Sequence, residues 1–315
     1  MPNFVSANKK FRSAVVWMGG VSREREISIK SGKAVAAALR QAGVLVEEVD
    51  IGSDSLKVPA QKNPEAVFLA LHGTGGEDGT IQEILEARRV PYTGSSPEGS
   101  KAAFFKDQSK EIFTRVGIPT PEYQLFNRNN AVGKIGFSGP WVIKPVAEGS
   151  SIGVVMVENE SNLKSEITNL LRDYSKVMVE KRIIGQELTV GILEESALPV
   201  IELKTTRGFY DFKAKYTAGF TEYLVPAPLN IEMAKKIQDV ALRVHKVLGL
   251  SDLSRIDIML DHAGRPYVLE ANSIPGFTDS SLLPKAARYA GIGFSELCLR
   301  ILNSASLKQM SAVAG

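Results

Sequence analysis

Apolar residues in the first part of the chain come in short β-prone runs, separated by segments of helical period. Ala14–Met18 is one such run and stops at Gly19-Gly20. Ile27, Ser31, Ala34, Val35, Ala38 and Leu39 then share one helical face until Gly43. Val44–Val49 and Ala66–Leu71 predict two more strands, the second ending at His72-Gly73. Gly79–Arg89 predicts a helix and Val90–Tyr92 a short strand. Strand and helix alternating in this way predict an α/β fold with a parallel sheet. Such sheets gather ligands beyond the carboxyl ends of their strands, where Gly19-Gly20 and His72-Gly73 stand.

The run Ser95-Ser96-Pro97-Glu98-Gly99 marks a boundary. Beyond it the pattern predicts one helix over Ser100–Arg115, a break at Pro119 and Pro121, and strands at Trp141–Ile143 and Ile152–Val157. Leu163–Leu171 reads as a helix, and Val177–Glu180, Leu188–Leu193 and Val200–Leu203 as strands. Thr205–Gly219 is polar, rich in aromatics and without period, and its length suggests a functional loop. Ile231–Leu248 is the clearest helix of the C-terminal half. There is no internal repeat.

Composition narrows the classes. With 315 residues, 44% hydrophobic and 23% charged, the chain can bury a sizeable core and is soluble and globular. At ~150 residues per domain the length alone suggests about two domains. The longest apolar stretch near the N-terminus, Ala34–Leu39, falls far short of the ~20 residues that span a bilayer. Met1–Arg12 has no apolar stretch behind its basic residues and reads as a tail without a signal peptide. A single cysteine, Cys298, excludes an internal disulfide and fits a reducing cytoplasm. One cysteine and three histidines (His72, His245, His262) are too few for a structural zinc site; His245 and His262 read as structural or exposed. Thirty-eight basic against 35 acidic residues, well mixed, give no basic stripe for nucleic acid.

Two segments carry candidate chemistry. Arg255-Ile256-Asp257-Ile258-Met259-Leu260 alternates polar and apolar, turns at Asp261-His262-Ala263-Gly264, and returns as Tyr267–Asn272. A hairpin of this length puts Arg255, Asp257, Glu270 and Asn272 on one face, unless its register slips by one residue. These are hard oxygen ligands of the kind Mg²⁺ takes alongside substrate phosphates; a solvated face with an Arg–Glu cross-strand pair is the alternative. Lys144–Gly153 is a glycine- and serine-rich loop between strands. It is not a Walker A loop, so it is either a flap-like phosphate cover, with Lys144 as a point charge, or a plain hairpin turn. Downstream, Glu180, Lys181 and Glu187 resemble a hinge whose carboxylates accept from an adenine amino group and a ribose hydroxyl.

Four stretches together resemble the D-alanine–D-alanine ligases of the ATP-grasp superfamily, in order from Val15 to about Leu302. They are Gly19-Gly20 with Glu24-Arg25-Glu26 and Ser28, the run His72–Gln82, the loop Tyr210-Asp211 with Ala214-Lys215-Tyr216, and Arg255–Asp257 continuing through Leu269–Gly276. The resemblance implies a three-domain ATP-grasp fold with an N-terminal parallel-sheet domain. Its units would be 1–96, 97–185 and 186–315, with an omega loop over 205–219. It implies ligation of two D-alanines with ATP through an acyl phosphate, for peptidoglycan precursor synthesis in the cytoplasm. ATP and two Mg²⁺ ions (or Mn²⁺) would be needed, the protein would be a homodimer, and nucleic acid and membrane would play no part.

Residue roles follow from the same resemblance. Glu24 would hold the ammonium of the first D-alanine, and Tyr216 and Ser150 would bond to Glu24 and lock the loop over the site. Arg255 and the Gly276 N–H would form the oxyanion site. Asp257, Glu270 and Asn272 would hold the metals. Lys106, Lys144, Ser150, Ser151 and Lys215 would bind phosphates, and Glu180, Lys181, Ile183 and Glu187 adenine and ribose. His72 would line the first substrate subsite, and Ser281 and the Leu282 N–H would bind the second carboxylate. Glu83 and Ser280 depart from the usual family residues, and Ser280 bears on the acceptor subsite. Tyr216 favours an amine acceptor over D-lactate. The alternatives are an ATP-grasp ligase for D-lactate, D-serine or another amino acid, and a nucleotide-binding module without catalysis.

Overall fold

The computed structural model describes residues 8–52, 64–129, 133–205, 221–278 and 281–308, arranged around three sheets. In the first, β1 (Ser13–Met18) lies between β2 (Leu45–Asp50) and β3 (Val67–Leu69), and both pairings are parallel. Helix α1 (Arg25–Gln41) buries Val35, Ala36, Ala38 and Leu39 in the same core. Helix α2 (Thr80–Ala87) follows, but Val90–Tyr92 forms no strand. Only Tyr92 pairs, bridging Val67 on one side and Ser306 on the other.

The single helix expected over Ser100–Arg115 is two: α3 (Pro97–Phe104) and α4 (Lys106–Arg115). Ser96 caps the first, accepting a bond from the Gly99 N–H, with Pro97 in the first turn. Phe105 between them is extended, and the Lys106 N–H leaves the helical ladder to bond Val146 O at 3.1 Å. A tertiary partner outside the helix thus breaks a period that runs on in the sequence.

The second sheet is antiparallel, in the order β4 (Tyr123–Asn127), β7 (Lys176–Lys181), β5 (Trp141–Pro145), β6 (Val155–Val157). Helix α5 (Glu160–Asp173) closes its core through Leu163, Ile167 and Leu171.

The third sheet runs β11 (Thr221–Leu224), β10 (Ile201–Thr205), β8 (Gly185–Leu193), β12 (Leu253–Asp261), β13 (Pro266–Asn272), and β9 (Ser196–Ala197) pairs with β8. Helix α6 (Ile231–Val247) covers one face, packing Ile237, Ala241 and Val244 on Val190, Ile256, Ile258 and Val268. The opposite face is covered at one end, where Leu193, Leu203 and Leu253 join Leu283 in the core of the first sheet, and opens to a cleft along the rest. Helices α7 (Leu282–Tyr289) and α8 (Phe294–Ser304), which the sequence pattern did not announce, pack into the core of the first sheet.

Burial of His245 on α6 gives the fold an acid-sensitive point. Its Nδ1 lies 2.8 Å from the buried Ser254 hydroxyl, and burial pushes its pKa down to about 4. An unfolded histidine takes up its proton near pH 6.5, the folded one only near 4. Stability is therefore complete above pH 6.5 and is lost as pH falls toward 4, by roughly 3 kcal/mol in all. Urea unfolding at pH 7 and pH 4.5 should show this loss in wild type and a flatter limb in His245→Gln.

Candidate active site

The open face of the third sheet carries the chemistry. Strand β12 alternates strictly: Arg255, Asp257 and Met259 are half-buried on the cleft side, while Ile256 and Ile258 are sealed beneath α6. In β13, Asn272 stands opposite Arg255 and Glu270 opposite Asp257, but Val268 stands opposite Ile258. Leu269 is the extra residue of a β-bulge. Because of it, Leu269 and Glu270 both face the cleft while Val268 and Ala271 face the core. The four residues expected on one face are on one face, all beyond the bulge.

Arg255 does not pair across the strands with Glu270, as a plain solvated hairpin would suggest. Its Nε and Nη2 fork Asp257 on its own strand, at 2.9 and 2.8 Å. Thr189, next to Asp257 on β8, donates to Asp257 Oδ1 at 2.6 Å, and Asn272 Nδ2 lies 3.2 Å from Oδ2. Asp257 is thus held from three sides.

Two cavities meet along this face. The smaller, about 90 Å³, is lined by Glu24, His72, Arg255, Asn272, Gly276 and Ser281, among others. The Ser150 hydroxyl donates to Glu24 Oε1, joining the glycine-rich loop to the start of α1. Ser150 and Ser151 both have positive φ, at 50° and 59°, as the two central residues of a type I′ turn that the Ile152 N–H closes by bonding to Gly149 O at 3.0 Å. Gly149 beside them lets the Glu24 carboxylate come close: a Cβ there would lie 2.5 Å from Glu24 Oε2 and push it aside.

Gly276 sits on a turn pinned from behind. His72 Nδ1 donates to Ile274 O at 3.1 Å, because a carbonyl only accepts. His72 Nε2 therefore accepts from the Ser31 hydroxyl at 3.1 Å, and Ser31 Oγ accepts from the Phe277 N–H at 3.3 Å. Burial lowers the His72 pKa, in keeping with this neutral ring. Glu77 accepts from the Gly73 and Ile274 N–H groups at 2.8 and 3.3 Å. Burial, reinforced by Glu24, pushes its carboxyl up to about 8. His72 lines the small cavity, yet both its ring nitrogens are spent on the protein. Ser281 stands at the N-cap position of α7, but its hydroxyl turns back to accept from the Thr278 N–H at 3.0 Å, and the Leu282 N–H lies at the first turn of the helix.

The larger cavity, about 560 Å³, lies between the second and third sheets. Lys106, Lys144, Ser151, Glu180, Lys181, Ile183, Glu187, Asp257 and Glu270 all line it. Lys106 Nζ donates to Glu148 O at 2.6 Å and stands 3.4 Å from Glu270. Lys181 pairs with Glu122 at 3.2 Å near the surface. Glu180 lines the cavity and also has partners within the protein. Its carboxylate lies 2.8 Å from Lys144 and 2.7 Å from Lys110, so two ammonium groups already engage it. Burial opposes its ionisation, but the two lysines outweigh burial and hold its carboxyl below the usual range.

Lys215 and Tyr216, with the rest of the loop 206–219, lie outside the described residues, as does Ser280. Among the described residues no three carboxylate, histidine or cysteine side chains converge on a metal position. Asp257, Glu270 and the Asn272 amide oxygen are nevertheless a hard oxygen set on one face beside a cavity. That donor chemistry fits Mg²⁺ completed by phosphate oxygens. Sequence reasoning missed Lys110 and Thr189. Both left a signal: Lys110 is one helical turn from Lys106, and Thr189 is two residues along the strand from Glu187.

Comparison with known proteins gives one consistent result. Residues 112–303 match the family model described as the D-ala D-ala ligase C-terminus, and residues 46–95 match that of its N-terminus. The D-alanine–D-alanine ligase of Methylacidiphilum infernorum is 42% identical over 94% of this chain and 96% of its own. That of Aquifex aeolicus is 43% identical over 90% and 97%. Among solved structures, the Bacillus anthracis ligase complexed with ATP superposes with a TM-score of 0.79 at 30% identity, covering 93% of this chain and 97% of that one.

Proposed function

The chain belongs to the D-alanine–D-alanine ligase family, and from that premise we propose that its two cavities hold the two halves of one reaction. The protein is an ATP-dependent ligase that joins D-alanine to D-alanine for peptidoglycan synthesis. One observation supports the assignment of parts. A single hairpin face serves both cavities: Asp257 and Glu270 line the large one, Arg255 and Asn272 the small one. The glycine-rich loop divides likewise, with Glu148 and Ser151 facing one cavity and Gly149 and Ser150 the other. Phosphoryl donor and acceptor would meet on that line.

On this reading ATP occupies the large cavity. Lys106, Lys144 and the Ser150-Ser151 turn hold its phosphates, joined by Lys215 from the loop. Lys181, Ile183 and Glu187 hold adenine and ribose, with Glu180 contributing from the wall. Asp257, Glu270 and Asn272 hold Mg²⁺, which when bound neutralises phosphate charge. Glu24 accepts from the ammonium of the first D-alanine, and Ser150 fixes the carboxylate that does so. Arg255 and the Gly276 N–H stabilise the oxyanion that develops when the second amine attacks the acyl phosphate. The Ser281 hydroxyl and Leu282 N–H, at a helix N-terminus, take the second carboxylate. His72 fixes the turn carrying Gly276 and walls the first subsite. Tyr216 would, by the family resemblance, bond to Glu24 and help keep water from the acyl phosphate.

No described helix is long and apolar enough to cross a membrane. A cytoplasmic homodimer formed through the N-terminal sheet domain completes the proposal; sedimentation should give twice the chain mass, and sedimentation at the single-chain mass would overturn that part.

Phosphate release tests the whole reading. Release should require D-alanine, ATP and Mg²⁺ together and should match dipeptide formed one for one. ATP turnover indifferent to D-alanine, or preferred turnover of D-lactate near neutral pH, would sink it.

A further inference from the structure

Lys110 has no part in the assignments above, yet it is the most completely buried charged side chain near the large cavity, with no exposed side-chain surface. It projects from α4 toward Glu180 on β7, at 2.7 Å. Its ammonium also donates to the Thr120 hydroxyl at 2.8 Å, and that hydroxyl donates in turn to Val268 O of β13. Lys144, on β5, reaches the other oxygen of Glu180 at 2.8 Å and borders the cavity, which Lys110 does not.

The charges decide the roles. One carboxylate between two ammonium groups leaves one positive unit over. Lys110 is sealed on every side, so the surplus is expressed where Lys144 meets the cavity. We propose that Lys110 is a positioning residue whose buried charge cancels that of Glu180, so that Lys144 keeps its own charge for the phosphates of ATP. Without Lys110, Glu180 and Lys144 close into a neutral pair in surroundings of low dielectric, and the lysine is held by the glutamate. A purely structural lysine would affect stability and leave phosphate affinity alone. The inference rests on the reading that Lys144 binds phosphate, so the test separates the two.

The measurement is calorimetric titration with ADP and with adenosine, in EDTA and without D-alanine, so that neither metal nor turnover enters. Lys110→Met should weaken ADP by about tenfold or more and leave adenosine within about twofold, the scale of losing one charge of attraction at a partly screened site. Adding Glu180→Gln to Lys110→Met removes the uncancelled carboxylate and should restore most of the preference for ADP over adenosine. A thermal midpoint recorded alongside separates this from loss of fold. Unchanged ADP affinity in Lys110→Met, or no recovery in the double variant, overturns the inference. Lys144→Met must weaken ADP in the same assay; if it does not, the phosphate role of Lys144 falls first and the inference with it. Should Lys110→Met not fold, Glu180→Gln alone carries the test. It removes the carboxylate that holds Lys144 and should raise the affinity for ADP relative to adenosine, and a ratio unchanged or lowered overturns the inference.

Discussion

Arg255→Ala should lower kcat about 10²–10³-fold with both substrates saturating, the scale seen when one preorganised donor to a developing oxyanion is removed. The structure gives reason to expect the upper part of that range. Arg255 lines the small cavity and forks Asp257 with two hydrogen bonds, so the alanine variant loses a donor and also loosens the carboxylate beside it. Arg255→Lys separates the two effects. A lysine keeps the charge near the oxyanion but cannot hold Asp257 by two parallel bonds. It should recover part of the rate while leaving the Mg²⁺ dependence disturbed. Steady-state phosphate release across a Mg²⁺ titration reads both. An Arg255→Ala enzyme within tenfold of wild-type kcat would remove Arg255 from the reaction.

Legibility in the sequence differs from element to element. The face carrying Arg255, Asp257, Glu270 and Asn272 was legible because alternation in β12 is strict and the two key pairs lie on the same side of the bulge. The bulge itself was not legible. Tyr267–Asn272 looks like an ordinary alternating strand, and the extra residue shows only when its partner is laid beside it. Continuous numbering across strict alternation would have put Glu270 on the side of the buried Val268. The break at Phe105 was hidden for a related reason: the bond that ends the helical ladder goes to Val146, some forty residues away. Strand β4 lies at a sheet edge after two prolines, with a half-buried pattern too weak to stand out. The spacing of Glu180 to Glu187 suggests an adenine acceptor, but spacing carries no word of Lys110, seventy positions earlier. Local periodicity told which faces exist. Only tertiary pairing told which charges are already spent.

The second large effect belongs to Asp257. Asp257→Asn keeps the shape of the side chain and can still accept from Thr189, but it removes the negative charge that Arg255 now balances and that Mg²⁺ would share. It should lower kcat about 10³-fold, the scale of the several kcal/mol that a bound cation supplies to a charged transition state. The Mg²⁺ concentration for half-maximal activity should rise as well. The mechanism behind that rise is specific. In the asparagine variant Arg255 loses its ionic partner, and Glu270 is left as the only carboxylate of the set, already drawn toward Lys106 at 3.4 Å. Thr189→Val offers a graded control: it deletes one hydrogen bond to Asp257 and leaves the charge, so it should cost about 1–2 kcal/mol, or five- to thirtyfold, with a small shift in Mg²⁺ dependence. If Asp257→Asn changed kcat no more than Thr189→Val, Asp257 would be serving only as the anchor of Arg255. The metal would then have to be held by Glu270, Asn272 and groups outside the hairpin.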